Sequence, residues 1–225
     1  MKASAFFSKK YLTKRFFMKK YLFFFAGFLM MFCKGSCKEV NERGYWIGDV
    51  VDWHSTDWKL AEAIVVFLKN ERAATVVDFG CGAGDYTSLL LHHGFACIGY
   101  DGNPNTPILT KGVGQVLDLS ETFHLGKTFD WVLCLEVGEH LPYQFEKILI
   151  DNLMRHTGKG IILSWAIKGQ LGRGHFNCQD NDYIKTIFAR HGYINDVQAE
   201  KFLREHTTFD WFKNTIMVFR KSPEL

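Results

Sequence analysis

The sequence predicts one doubly wound α/β domain, with a mainly parallel sheet between two layers of helices and an antiparallel strand pair near the end of the chain. Three observations lead to this prediction. Short β-branched apolar runs alternate with segments of helical periodicity from residue 57 onward, which is typical of β-α units. The first of these runs leads directly into a glycine-rich turn at residues 80–84. The chain has 225 residues, enough for one large core but few for two.

The predicted elements follow one another in β-α order. An opening helix is capped by Thr56 or Asp57 and carries apolar residues on one face. Two late strands, at residues 197–203 and 215–220, have no helical pattern between them and are therefore expected to pair antiparallel. Between these ends we expect strands at residues 75–79, 96–100, 115–117, 129–135 and 160–164, helices at 86–93, 142–155 and 180–191, and a proline-containing loop at 103–107.

The first 37 residues differ in composition from the rest of the chain. Residues 1–33 contain seven basic residues and no acidic one, and residues 21–33 form a continuous apolar run. A run of this length is short for a membrane span and is typical of the core of a signal peptide. We therefore expect residues 1–37 to be a signal peptide or membrane anchor, with Met18 as a second candidate start, and residues 38–225 to be the folded domain.

Charge and cysteine content bear on partners and on localisation. Seven of the 27 basic residues and none of the 24 acidic residues lie in the first 33 residues, so the body is mildly acidic. Nucleic acid needs clustered Lys and Arg and is not an expected partner. Cys81, Cys97 and Cys134 fall in or beside predicted strands without disulfide spacing, which is typical of a reducing compartment. The domain is therefore membrane-associated or exported, or cytoplasmic if the N-terminal segment is not functional.

A ligand site is expected at the carboxyl ends of the strands, around the turn at residues 80–84. Ligands of open α/β sheets bind where the strand order reverses. The glycines at 80, 82 and 84 permit positive φ angles and a close approach of ligand to backbone, and the following helix offers free N–H groups. Asp101, at the end of the second strand, would accept hydrogen bonds from two ribose hydroxyls.

A nicotinamide-binding site shares these features. Its G-x-G-x-x-G fingerprint would need glycine at position 85, where this chain has Asp85. That carboxylate would repel a pyrophosphate, and the terminal strand pair is foreign to the dinucleotide fold. A nicotinamide-dependent oxidoreductase is therefore disfavoured, but it stays an alternative.

Four motifs in order resemble those of class I S-adenosylmethionine-dependent methyltransferases. Residues 76–84, VVDFGCGAG, resemble motif I, and Asp101 matches the ribose-binding position of the family. The acidic-apolar pair at 118–119 resembles the residues that meet the adenine, and residues 130–140, DWVLCLEVGEH, resemble the strand-four motif. The motifs lie within residues 75–165. For the remaining residues, only the predicted order of strands and helices resembles the family. The resemblance implies a Rossmann-like, seven-stranded sheet, S-adenosyl-L-methionine as methyl donor, and one-step transfer by in-line displacement.

The resemblance also implies roles for individual residues. Asp78 would orient the turn or meet the cofactor ammonium, Asp101 would hold the ribose, and Asp118 would meet the adenine amino group. Glu136 would face the methionine end. The implied cofactor site consists of Asp78, Gly80, Cys81, Gly82, Gly84, Asp101, Gly102, Asp118, Leu119 and Glu136.

His140 and Glu139 are the predicted catalytic residues, because they follow the fourth strand, where the acceptor is expected. His140 would act as the general base, given an unperturbed histidine pKa of about 6.5. Its alternative role is packing against the next helix. The acceptor is expected to be a small molecule. Since the sequence carries no acceptor-site signature, a regulatory protein that binds the cofactor without turnover stays an alternative.

Two further segments could contribute to the site. Tyr45, Trp46 and Trp53 would either fold over the cofactor or clasp the first helix. His175 and Asn177 lie in a glycine-rich loop after the fifth strand, which is either a lid with acceptor contacts or a mobile connection.

No metal ion is expected from the sequence. Methyl transfer from a sulfonium needs none, and His54 and the pair His92–His93 lack ligand spacing with Cys or acidic residues. Cys81 is expected to pack in the turn rather than to act as a nucleophile, because no histidine is near it in the sequence.

Overall fold

Residues 40–48 and 54–223 are described by the computed structural model, and they contain a seven-stranded sheet. The strands are β1 (Thr75–Phe79), β2 (Ala96–Asp101), β3 (Gly114–Val116), β4 (Phe129–Cys134), β5 (Thr157–Leu163), β6 (Tyr193–Asn195) and β7 (Met217–Lys221). Their order across the sheet is β3-β2-β1-β4-β5-β7-β6. The first five strands are parallel, whereas β7 is antiparallel to both of its neighbours. The predicted fold class is confirmed.

Helices connect these strands and cover both faces of the sheet. They are α1 (Trp58–Asn70), α2 (Asp85–His92), α3 (Thr106–Leu109), α4 (Glu146–Arg155), α5 (Asn181–Arg190), α6 (Val197–Glu205) and α7 (Asp210–Thr215). Two apolar clusters result. One contains Phe79, Val132 and Leu149, and the other packs Leu60 and Ile64 of α1 near Trp131. Because β1 lies between β2 and β4, the strand order reverses beside β1, and a crevice opens at the carboxyl ends of these strands.

Asp57 joins the first helix to a distant part of the chain. Its side chain caps α1 by accepting from the Leu60 amide at 3.1 Å, as one of the two predicted caps. The same buried carboxylate accepts from the amides of Thr208 and Phe209, at 2.6 and 2.8 Å, and from the Thr207 hydroxyl. Burial raises the pKa of Asp57, but these hydrogen bonds outweigh it, and the net pKa lies below its usual value.

The strand predicted at residues 197–203 is wrong, because this segment is helix α6. Asp196 caps it by accepting from the Ala199 amide at 2.9 Å, and Ala199 and Leu203 are buried four residues apart on one face. The sixth strand lies just before it, at Tyr193–Asn195. The antiparallel pairing of the last two strands is confirmed, but both α6 and α7 lie between them.

Two boundaries near prolines also differ from the prediction. The segment predicted as a loop at 103–107 ends in α3, where Pro107 occupies the first turn, a position that needs no backbone N–H. Pro142 precedes a 3₁₀ turn at Tyr143–Phe145, and the α-helix begins only at Glu146.

The predictions for residues 1–37, and for their boundary with the domain, lie outside the described residues and stay predictions. The same holds for Trp53. Within residues 40–48 and 54–223, the helices are all too short or too polar to span a membrane.

We expect Asp57→Ala to lower the free energy of unfolding by about 2–4 kcal/mol, because it removes a helix cap and takes the acceptor from the Thr207 hydroxyl and two part-buried amides. Urea denaturation followed by circular dichroism measures this loss. Asp210→Ala is the control, since Asp210 forms only an exposed pair with Lys213, and it should leave the midpoint unchanged. Equal midpoints for the two variants would contradict the role given to Asp57.

Candidate functional site

A cavity of about 650 Å³ opens at the carboxyl ends of β1, β2 and β4. The residues around it come from the ends of the first strands and the turns after them, from the lead-in at residues 40–48, from residues 54–56, from the loop after β5, and from Trp211 and Phe212 of α7. Most of the predicted site residues lie together in its wall. These are Asp78, Gly80, Cys81, Gly82, Asp101, Gly102, Asp118, Leu119, Glu136 and His140.

The glycine turn is held in place by β2. The amides of Gly80 and Cys81 both donate to the Tyr100 carbonyl, at 2.7 and 3.1 Å. The φ angles of Gly80 and Gly82 are +82° and +52°, in the region that favours glycine. A Cβ at Gly82 would lie 2.8 Å from Nδ1 of His54, so this position leaves no room for a side chain.

Gly84 and Cys81 support the turn in other ways. Gly84 is the N-cap of α2, and a Cβ there would lie 2.9 Å from Cβ of Thr110. It is not among the described residues that line the cavity, and its place in the cofactor site stays a prediction. Cys81 is buried, and its Sγ would lie 2.7 Å from a Cβ at Gly99, as expected of a packing residue. Burial also raises the pKa of its thiol, which disfavours a thiolate nucleophile.

Asp101 connects the turn to the loop after β2. One carboxylate oxygen, Oδ2, accepts from the Gly82 amide at 3.1 Å, and the other accepts from the Asn103 amide at 2.9 Å. The turn and the carboxylate therefore share one hollow, as predicted. Carboxylate oxygens carry about four acceptor sites between them, so Asp101 keeps capacity for further donors.

Asp78 lies buried beneath the turn. Its Oδ2 accepts from the Thr87 hydroxyl at 2.7 Å, which ties the end of β1 to α2. Burial raises the pKa of Asp78 to about 7, with a smaller contribution from the charge of Asp101, and the bond from Thr87 opposes the shift. A cation bound beside this carboxyl would favour its ionised form.

Asp118 has a protein partner that the sequence analysis missed. Its Oδ2 lies 2.7 Å from Nε of Arg43, and its Oδ1 accepts from the Ser120 amide at 2.9 Å. Arg43 also pairs with Glu121 at 3.0 Å. The lead-in is therefore anchored where the adenine was expected to meet Asp118. No local pattern joins these residues, because Arg43 and Asp118 are brought together only by folding.

The lead-in covers the site rather than clasping the first helix. A Cβ at Gly102 would lie 2.5 Å from Cγ of Tyr45, so that ring rests on the backbone after β2. The Trp46 ring meets His140 edge-on, with 5.7 Å between ring centroids. Within the described residues, the prediction that this aromatic segment folds over the pocket is the alternative that the structure supports.

The Glu136-x-x-Glu139-His140 segment follows β4 in a strained conformation. Glu136 has a φ of +53°, which is costly for a non-glycine residue and often marks a functional site. Its Oε2 accepts from Gln170 Nε2 at 3.2 Å, and burial raises its pKa. Glu139 is completely buried, and burial together with the charge of Glu136 raises its pKa well above the usual value. Glu139 lies behind the cavity wall rather than in it.

His140 lines the cavity, but its environment differs from the predicted one. Its Nδ1 lies 3.1 Å from the Gly174 carbonyl. Burial lowers its pKa to about 4, aided by the nearby His175, whereas the bond to Gly174 opposes the shift. The imidazole is therefore neutral at physiological pH and a weaker base than the unperturbed histidine on which the prediction relied.

The loop after β5 is anchored at one point and contributes to the site at another. Asn177 is buried, its carbonyl accepts from Trp165 Nε1 at 2.6 Å, and its side chain donates to Glu146 at 2.8 Å. Asn177 therefore anchors the loop, and these bonds speak against the alternative in which the loop is a mobile connection. His175 does reach the cavity, with its ring centroid 5.1 Å from that of His140.

Comparison with known proteins identifies the class of the chain. A family model for a methyltransferase domain matches residues 53–196, more than half of the sequence. The chain belongs to this methyltransferase-domain family. No curated protein sequence matches it significantly.

Solved structures share the fold at low sequence identity. Magnesium protoporphyrin IX methyltransferase from Synechocystis PCC 6803 with bound SAH is 20% identical, with a TM-score of 0.56 over 72% of this chain and 82% of that chain. CalS10, a SAM-bound amino pentose methyltransferase from Micromonospora echinaspora, is 15% identical, with a TM-score of 0.58 over 76% and 94%. The methyltransferase domain of bacterial CtHen1-C is 19% identical, with a TM-score of 0.54 over 73% and 97%.

The raised pKa of Asp78 predicts a pH-dependent stability. Because its folded pKa of about 7 exceeds an unfolded value of about 3.9, the folded state binds more protons between these limits. The stability of the wild type relative to Asp78→Asn should therefore fall by up to about 4 kcal/mol as pH rises through this window, and stay level above it.

Urea denaturation at a series of pH values gives this difference. Asp210→Asn serves as the control, because the pKa of Asp210 is lowered by Lys213 and the variant should show no such fall. Parallel profiles for the wild type and Asp78→Asn would show that Asp78 titrates normally in the fold.

Proposed function

We propose that the chain is an S-adenosylmethionine-dependent methyltransferase that transfers a methyl group to a small-molecule acceptor. The observation that carries this proposal is the meeting of the Gly82 amide and the Asp101 carboxylate, 3.1 Å apart, at the mouth of one cavity. The meeting occurs in a chain of the methyltransferase-domain family, at the edge where α/β sheets bind ligands. The SAM or SAH named for two structural neighbours agrees with this cofactor.

The residues around the cavity fit the chemical groups of S-adenosylmethionine. Asp101 would accept from the ribose hydroxyls, Asp78 would face the positively charged amino group, and Leu119 would contact the adenine. Tyr86 also lines the cavity, and its buried hydroxyl has no hydrogen-bond partner among the described residues, so a ligand could satisfy it. The cofactor would supply an electrophilic methyl group, and the chain would hold donor and acceptor in line.

A small acceptor fits the enclosure of the site. The lead-in covers one side of the cavity, and Gln170, Leu171 and Arg173 of the loop after β5 line another. The mildly acidic body disfavours a nucleic acid acceptor. His140 and His175 line the same cavity as Glu136, and we expect the acceptor to meet the methyl group beside them.

The nicotinamide alternative meets an obstacle at the start of α2. Asp85, the first residue of that helix, accepts from the Thr56 hydroxyl, which holds its carboxylate at the position where a pyrophosphate would bind.

Calorimetry with S-adenosylhomocysteine and with NAD tests the cofactor. We expect the homocysteine product to bind and NAD not to bind. Asp101→Ala should weaken the binding of S-adenosylhomocysteine by at least about 100-fold, because two charge-assisted hydrogen bonds of about 1.5–3 kcal/mol each are lost. Asp151→Ala, which removes a carboxylate paired with Lys147 on α4, is the matched control and should bind normally. Tight NAD binding without product binding would refute the proposal.

Turnover separates an enzyme from a regulatory binding protein. Incubation with methyl-labelled S-adenosylmethionine and a fractionated pool of small metabolites should transfer label to at least one fraction. Asp101→Ala should reduce that transfer at limiting cofactor, whereas Asp151→Ala should not. Cofactor binding without transfer to any fraction would favour the regulatory alternative.

A further inference from the structure

Three potential metal ligands meet at the back of the cavity. Glu139, His140 and His175 each present one ligand atom, and these atoms all lie within 4.8 Å of one another. Two of the three come from the segment after β4 and the third from the loop after β5. No metal was expected from the sequence because only His54 and the pair His92–His93 were weighed as ligands, whereas His175 joins Glu139 and His140 only through folding.

Glu139 is the observation that points to a bound cation. Its side chain is completely buried, and neither carboxylate oxygen makes a well-formed hydrogen bond in the described part of the chain, although the Glu136 carboxyl and the backbone N–H groups of Glu139 and Ala166 lie near enough to influence its pKa. A buried carboxyl group without a partner is expensive, and such a group calls for an explanation such as an ion. The carboxyl group of Glu139 belongs to the same cluster of ligand atoms as the two imidazoles, which are known metal ligands.

Both histidines make a backbone contact that metal-binding histidines often make. Nδ1 of His140 lies 3.1 Å from the Gly174 carbonyl, and Nδ1 of His175 lies 3.2 Å from the Gln170 carbonyl. A carbonyl only accepts, so both contacts favour the tautomer with the hydrogen on Nδ1 and the lone pair on Nε2. A backbone carbonyl behind one ring nitrogen is a common second interaction of metal-binding histidines, where it fixes the tautomer and the ring orientation.

We propose that Glu139, His140 and His175 bind a divalent first-row transition metal ion. Two imidazoles and one carboxylate suit Zn²⁺ or Fe²⁺, whereas Mg²⁺ and Ca²⁺ prefer oxygen ligands. Three protein ligands leave coordination positions open, as in catalytic metal sites. Since His140 and His175 line the cavity, an oxygen or nitrogen of a small molecule could fill an open position. This last step, the positioning of an acceptor by the ion, rests on the proposed methyltransferase function.

Metal titration of the full, untagged chain, stripped with a chelator and without cofactor, tests the site. Calorimetry with Zn²⁺, and visible absorption with Co²⁺ as a spectroscopic substitute, should show one equivalent bound with nitrogen and oxygen ligands. Excess Mg²⁺ should not compete. Glu139→Gln and His175→Ala should each weaken Zn²⁺ binding by at least about 100-fold, more than the loss of an outer-shell partner causes.

His191→Ala is the matched control, because His191 is exposed and its Nδ1 also meets a backbone carbonyl, that of Ile187. It should bind Zn²⁺ like the wild type. Circular dichroism checks that each variant is folded. Because His175 lies half-buried in a loop, His175→Ala removes a ligand without creating a cavity in the hydrophobic core.

Two results would overturn the metal site. One is the absence of Zn²⁺ and Co²⁺ binding to the folded wild type. The other is binding that Glu139→Gln and His175→Ala leave unchanged, which would place the ion elsewhere on the chain. Because the titration contains no cofactor, its failure would leave the calorimetric test with S-adenosylhomocysteine intact, and the reverse also holds.

Discussion

The hydrogen bond from the Gly82 amide to the Asp101 carboxylate is the contact on which the site depends. It joins the ends of β1 and β2 across the turn, while the Tyr100 carbonyl holds the start of the same turn through two amides. The turn can lie this close to β2 only because Gly80 and Gly82 adopt positive φ angles and leave no side chain in the way. The same lack of a side chain lets the ring of His54 approach Gly82 closely.

Several buried carboxyl groups lie in or beside the cavity, at some cost to the stability of the fold. Burial raises the pKa values of Asp78, Glu136 and Glu139, so their ionised forms are unfavourable in the folded chain. Glu136 also holds a strained backbone angle. Buried carboxyl groups and strained backbone angles are common at functional sites, where a bound ligand can provide the missing charge or hydrogen-bond partner. A positively charged ligand group beside Asp78, and a cation at Glu139, would each relieve one of these costs.

Most of the parallel part of the fold could be predicted from local patterns. The apolar runs that end at Phe79 and Cys134 are short and rich in β-branched or aromatic residues, and these two properties together favour buried strands over helices. The segment after Asp196 was misread because its few apolar residues fit either period, although the capping Asp196 was a helix signal. The cofactor side of the site was also predictable from local patterns, because each of its motifs directly follows a strand that could itself be predicted.

The rest of the site depends on contacts between residues far apart in sequence. Neither the pairing of Arg43 with Asp118 nor the approach of His175 to His140 leaves a local pattern, because both depend on how loops return over the sheet edge. The low pKa of His140 was equally hidden, since burial decides it. Hydrogen–deuterium exchange on addition of S-adenosylhomocysteine tests the central claim most directly. If the turn and Asp101 hold one nucleoside together, exchange should slow in both the turn at residues 80–84 and the segment at 101–103. Binding that protects only one of these segments, or neither, would contradict it.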